Sequence, residues 1–190
     1  MKTNLISLAF VIISLMLAGC IPSVHGLYTD DVLVFDESLT GSWVDQDGNT
    51  WEFSTSDSIS YSLAYTEELP YTPLAKNYFK VHLVRLGDEY YLDFFPNDDN
   101  QLSLTSMLAN SLLPTHLIAK IEFPDGEVII RLMNPERLKE MVSQGLISVK
   151  HEITDNNIVL TAQPKELQAF VNEFSKDDRA FATEAILKRN

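Results

Sequence analysis

Cysteine is nearly absent: one residue, Cys20, in 190. A single thiol excludes an internal disulfide and a zinc site built from several thiolates. Glycine is scarce too, with seven in all, and no glycine-rich phosphate loop or Gly-x-Ser-x-Gly elbow occurs. Basic residues are the third shortage: 14 Lys and Arg stand against 27 Asp and Glu, for a net charge of −13. Nucleic acid needs a Lys/Arg surface, so it is excluded as a partner. Electrostatic attachment to anionic lipid is excluded on the same ground. The four histidines, His25, His82, His116 and His151, form no His-x-x-x-His pair, so no metal-ligand spacing exists. Asn97 to Asn100 offers oxygen ligands but lacks the spaced acids and central glycine of a calcium loop, and reads as a solvated turn. No metal or cofactor is expected.

What is present begins at the N-terminus. Lys2 is followed by an apolar run from Leu5 to Ala18, broken only by Ser7 and Ser14. The run is too short for a comfortable membrane span, which takes ~20 apolar residues. It suits a secretory signal with small residues before its cleavage point. Leu17-Ala18-Gly19-Cys20 resembles the lipobox of bacterial lipoproteins at all four positions. That resemblance implies a diacylglyceryl group on the Cys20 sulfur, removal of residues 1–19 and a membrane anchor at the new N-terminus. Two or more acyl chains hold firmly where one binds marginally. Ile21, rather than Asp, follows the cysteine. In Gram-negative lipoproteins this position implies outer-membrane sorting, with the domain in the periplasm.

Residues 20–37 read as the lipidated N-terminus and a tether, and 38–190 as one β-rich domain. Short alternating segments recur from Gly41 onward: 41–44, 51–54, 59–65, 78–86, 90–95, 117–123, 128–132, 149–153 and 158–162. Turn residues such as Asp47-Gly48-Asn49, Gly87-Asp88 and Pro124-Asp125-Gly126 separate several of them. Helical spacing appears over 101–113, after Asn134-Pro135, after Pro164 and from Ser175 to about Lys188. The expected fold is mainly β (α+β): an antiparallel barrel or strongly curved sheet with three or four short helices. Gly41-Ser42-Trp43 resembles the Gly-x-Trp of lipocalin-type barrels, where the tryptophan plugs the closed end. Leu113-Pro114-Thr115-His116 and the strand after it resemble small bacterial lipoproteins of unassigned function.

Twelve aromatics from Trp43 to Phe95 crowd the first half of the chain. In a barrel, alternate members point inward, forming either a packed core or a ligand lining. Trp43, Tyr61, Tyr91 and His116 are the candidate ligand-binding residues, and Cys20 the lipidation site. His151, between Val149 and Ile153, reads as a core histidine bonded to a backbone group. The expected function is a lipid-anchored binding or interaction module for a small apolar ligand or an envelope protein. The alternatives are a structural or assembly lipoprotein without a pocket and, last, a hydrolase whose site converges in space.

Overall fold

The computed structural model describes residues 20–67, 75–97, 112–154 and 157–190. The signal segment 1–19, the turn at 98–100 and most of the helix expected over 101–113 lie outside them.

Among the described residues twelve strands form one sheet. They are β1 (Pro22–Ser23), β2 (Leu33–Val34), β3 (Gly41–Val44), β4 (Thr50–Asp57), β5 (Ser60–Glu67) and β6 (Ala75–Leu86), followed by β7 (Glu89–Pro96), β8 (His116–Glu122), β9 (Glu127–Met133), β10 (His151–Thr154), β11 (Asn157–Leu160) and β12 (Phe181–Arg189). Strands β3 to β9 run as an antiparallel meander, each paired with the next. β12 pairs with β9 on one side and β3 on the other, which closes an eight-stranded antiparallel barrel. Closure removes the free edges that an open sheet would expose. The insertion between β9 and β12 carries α1 (Pro135–Ser143), β10, β11 and α2 (Pro164–Phe174).

Both α-helices follow their local chemistry. Asn134 caps α1 by accepting from the backbone N–H of Glu136 and Arg137, and Pro135 occupies its first turn. In α2 the stripe Leu167, Phe170, Val171 and Phe174 is buried. A further helix over 175–188 does not form. Residues 175–180 are turns, and 181–189 is β12. Pairing along both barrel edges outweighs the weak helical spacing, and Ala185 and Leu187 drop into the interior. The described residues therefore hold two α-helices, where three or four were expected over the whole chain.

Two cores result. One fills the barrel: Leu39, Trp43, Phe53, Tyr61, Val81, Leu83, Leu92, Ile121, Val128 and Leu187 among others. The second lies outside it, where Val84, Leu86, Tyr91, Ile118 and Met133 on β6 to β9 meet both helices. These strands bury both faces, which explains their near-continuous apolar runs. The expected tether is part of this second core. Ile21 is 4% exposed and Leu27 fully buried. β1 lies between β8 and β11, and β2 lies on β6. Residues 21–37 are thus bound to the domain rather than holding it at a distance.

Candidate functional site

The meander gives the barrel two unlike ends. One receives the turns β4–β5, β6–β7 and β8–β9 and is sealed. Leu39, in a tight helical turn at Glu37–Leu39, is fully buried there. The Trp43 indole N–H donates to the Leu39 carbonyl (2.8 Å). The Arg189 guanidinium stacks 4.1 Å from the Trp43 ring and donates to the carbonyls of Thr40 and Ser38, each at 2.6 Å.

Among the described residues the other end, from which the β3–β4, β5–β6 and β7–β8 connections leave, is open. It holds a cavity of about 190 Å³ lined by Cys20, Trp51, Leu63, Tyr65, Phe79, Phe94, Leu117, Ile130, Leu132 and Glu184. Register explains the wall: Trp51 faces Tyr65, and Phe94 faces Leu117, on neighbouring strands. The Trp51 and Tyr65 rings meet edge to face at 4.8 Å. Asp45 in the β3–β4 turn fixes Trp51. Its Oδ2 accepts from the indole N–H and from Asn49 Nδ2 (both 3.0 Å), and its Oδ1 accepts from the Asp47 and Asn49 backbone (both 2.9 Å). Burial works to raise the Asp45 pKa, but these donors outweigh it and leave the carboxyl below its ordinary value.

Cys20 sits where the wall divides. β8 pairs with β1 at His116 and Leu117 but with β9 only from Ala119 onward. The thiol is accessible, yet desolvation by the surrounding wall and then the Glu184 carboxyl push its pKa up. Glu184 is raised by partial burial and by Asp45 and Asp47. Tyr65 is pushed up to about 12, first by burial and then by Glu67, Asp45, Glu184 and Asp47. The mouth is therefore an apolar hole with an acidic rim.

A polar cluster lies on the barrel's outer face, under residues 25–28. Asp93 is fully buried; its Oδ2 accepts from the Leu27 N–H and its Oδ1 from His116 Nδ1, both at 2.6 Å. His82, opposite Asp93 in register, stacks on Tyr28 at 3.9 Å and leaves Nδ1 without a partner. Desolvation holds its pKa below the ordinary histidine value. An Asp–His pair of this kind can orient a general base. Among the described residues no serine, threonine or cysteine hydrogen-bonds to His116, so the arrangement lacks a nucleophile. Its visible work is to clamp Leu27 onto β7 and β8.

The four residues expected to bind ligand are dispersed. Trp43 plugs the closed end. Tyr61 lies inside, stacked on Phe35 at 4.6 Å, with its hydroxyl accepting from Asp36 N–H (2.7 Å). Tyr91 is fully buried in the outer core. His116 belongs to the polar cluster. None of them lines the mouth cavity. Trp51, Tyr65, Phe79 and Phe94, which do, were among the counted aromatics, but only strand pairing shows which aromatics converge. His151 bonds the Val149 carbonyl (2.8 Å) yet lies half-buried on the edge strand β10, not in a core.

A larger surface groove, about 580 Å³, runs between residues 146–150 and α2. It is lined by Leu146, Ile147, Val149, Ala169 and Phe170 and bordered by the solvent-exposed Lys150–Glu166 pair. Among the described residues no three His, Cys, Asp or Glu side chains converge on a metal position, and no helix is long and apolar enough to cross a membrane. No family model, curated protein or solved structure matches this chain.

Proposed function

We propose that this protein is a lipid-anchored cell-envelope binding module, acylated at Cys20 and cleaved before it, whose barrel takes a short apolar ligand at its mouth. The anchoring half rests on Leu17-Ala18-Gly19-Cys20 and on the accessible Cys20 thiol. With Ile21 in the sorting position, the address is the outer membrane, facing the periplasm, in a host that has one. The binding half rests on one observation, the apolar cavity at the open end.

Its size limits the ligand. At about 190 Å³ it exceeds the ~150 Å³ apolar cavity that accepts benzene but falls below the ~300 Å³ at which drug-sized sites begin. A hydrocarbon segment of roughly six carbons fits, taking ~30 Å³ for each water-sized unit. A series of linear alkanols titrated against tryptophan emission tests this. Affinity is expected to rise about fourfold per methylene, from ~0.8 kcal/mol each, and to level off near six carbons. Absence of saturable binding across the series would remove the ligand reading.

The structural or assembly reading has its own support: below the mouth the interior is packed solid from Phe53 to Leu187. It is the reading left standing if no alkanol binds. Among the described residues the hydrolase reading has no nucleophile hydrogen-bonded to His116.

A further inference from the structure

We propose that the mouth end of the barrel, not its sealed end, rests on a zwitterionic phospholipid surface, with the cavity rim and Leu112-Leu113 at the contact. The proposal rests on acylation of Cys20.

The first argument is reach. Cys20 is itself a wall residue of the cavity. The chain that follows is pinned at once: Ile21 is buried, β1 is paired on both sides, and the Leu27 N–H is held by Asp93. A free tether would add ~3.3–3.6 Å per residue of reach and leave orientation open. With none, a lipid on Sγ keeps the mouth within the length of its own glycerol linkage from the bilayer.

The second argument is surface chemistry. Leu112 and Leu113 are 52% and 67% exposed and lead directly into β8, whose first residues carry the Cys20 strand. Adjacent exposed leucines beside an open apolar cavity suit the headgroup–acyl boundary, as do Trp51 and Tyr65 at the rim. The sealed end exposes Ile59 (44%) and Phe123 (38%) only singly, beside the turn acids Asp57 and Asp125. Asp45, Asp47, Glu67 and Glu184 at the mouth repel anionic headgroups, which selects neutral ones.

Trp43 and Trp51 face each other across β3 and β4. The Trp43 indole N–H reaches back to the Leu39 carbonyl on the sealed side, and the Trp51 indole N–H to Asp45 in the mouth turn. The two rings therefore report orientation over a short distance. The acylated full-length product, purified from membranes, is reconstituted into phosphatidylcholine vesicles carrying a doxyl-labelled phosphatidylcholine. Trp43→Phe leaves Trp51 as the reporter and Trp51→Phe leaves Trp43. Trp51 is expected to be quenched more than Trp43; equal quenching, or the reverse, overturns the proposal. Should Trp43→Phe fail to fold, Asp47→Cys at the mouth and Asp125→Cys at the sealed end each carry a donor dye, acylated Cys20 being unreactive. Transfer to a headgroup acceptor must then be greater from position 47. Replacing a third of the phosphatidylcholine by phosphatidylglycerol is expected to shrink the difference, and an unchanged difference refutes the neutral-lipid preference.

Mass spectrometry of the N-terminal peptide separates the two failures. If Cys20 carries no lipid, the anchoring reading falls. Its free thiol, coupled to a maleimide-bearing phospholipid in the same vesicles, then decides orientation by the same tryptophan comparison.

Discussion

Gly41 adopts φ 119°, a left-handed conformation that L side chains rarely take. A Cβ there would also meet the Arg189 guanidinium that seals the barrel. Gly41→Ala therefore combines backbone strain with loss of the Trp43–Arg189 stack. It is expected to cost about 1–3 kcal/mol, read as a lowered urea midpoint at unchanged slope. His82 gives a second test at this scale. Its folded-state pKa lies below the unfolded value of about 6.5, chiefly through desolvation, with Asp93 and Asp57 opposing and Lys80 and His116 assisting. The unfolded chain thus takes up the proton first. The neutral-His82 contribution is fully present above pH ~6.5 and is lost as pH falls through the window down to the folded value. In His82→Phe, which keeps a ring against Tyr28, urea midpoints measured down that window should fall less steeply than in the wild type.

Among the elements, the N-terminal segment departs furthest from its local appearance. Residues 21–26 have no periodicity, and Asp30, Asp31, Asp36 and Glu37 make the stretch look solvated. Its two-residue strands survive because β8 and β6 present unpaired edges to them. Burial of Ile21 and Leu27 adds ~2–5 kcal/mol each by the usual cost of emptying such a site. Beginning the chain at Ser38 removes both and leaves the buried Asp93 carboxylate without the Leu27 donor. Such a chain is expected to lose its cooperative thermal transition or to melt well below the chain that begins at Cys20, as followed by circular dichroism. Equal melting temperatures would mean that the outer core closes without this segment.

Among the described residues the molecule is an acidic barrel with one sealed end, one open end and Cys20 in the wall of the open end. Its surplus of carboxylates offers no attraction to anionic membranes, so under the proposed reading attachment falls to lipid alone. Cys20→Ser is accordingly expected to abolish incorporation of labelled fatty acid and to leave residues 1–19 uncleaved. Fatty-acid label still carried by the Cys20→Ser variant would end the lipidation reading. A chain beginning at position 20 and carrying Cys20→Ser should still bind alkanols, since the other nine cavity residues are unchanged.

Features carried by near neighbours could be read directly from the chain. Strand alternation, the hairpin turns, the Asn134-Pro135 start of α1 and the apolar stripe of α2 all depend on a few adjacent residues. A predominantly antiparallel β fold, barrel or curved sheet, followed from them. Long-range pairing decided the rest. Residues 181–189 became a strand because β9 and β3 lie on either side of them, about 50 and 140 residues away in sequence. Trp51, Tyr65, Phe79 and Phe94, rather than Trp43 and Tyr61, came to line the opening because register and barrel closure set which inward residues stand at the unsealed end, while Tyr91 faces the outer core. Cys20 stands out in the chain as a motif, yet its position in the cavity wall is a tertiary fact. It follows from β1 docking where β8 parts from β9, a packing event that leaves no trace in the spacing of nearby residues.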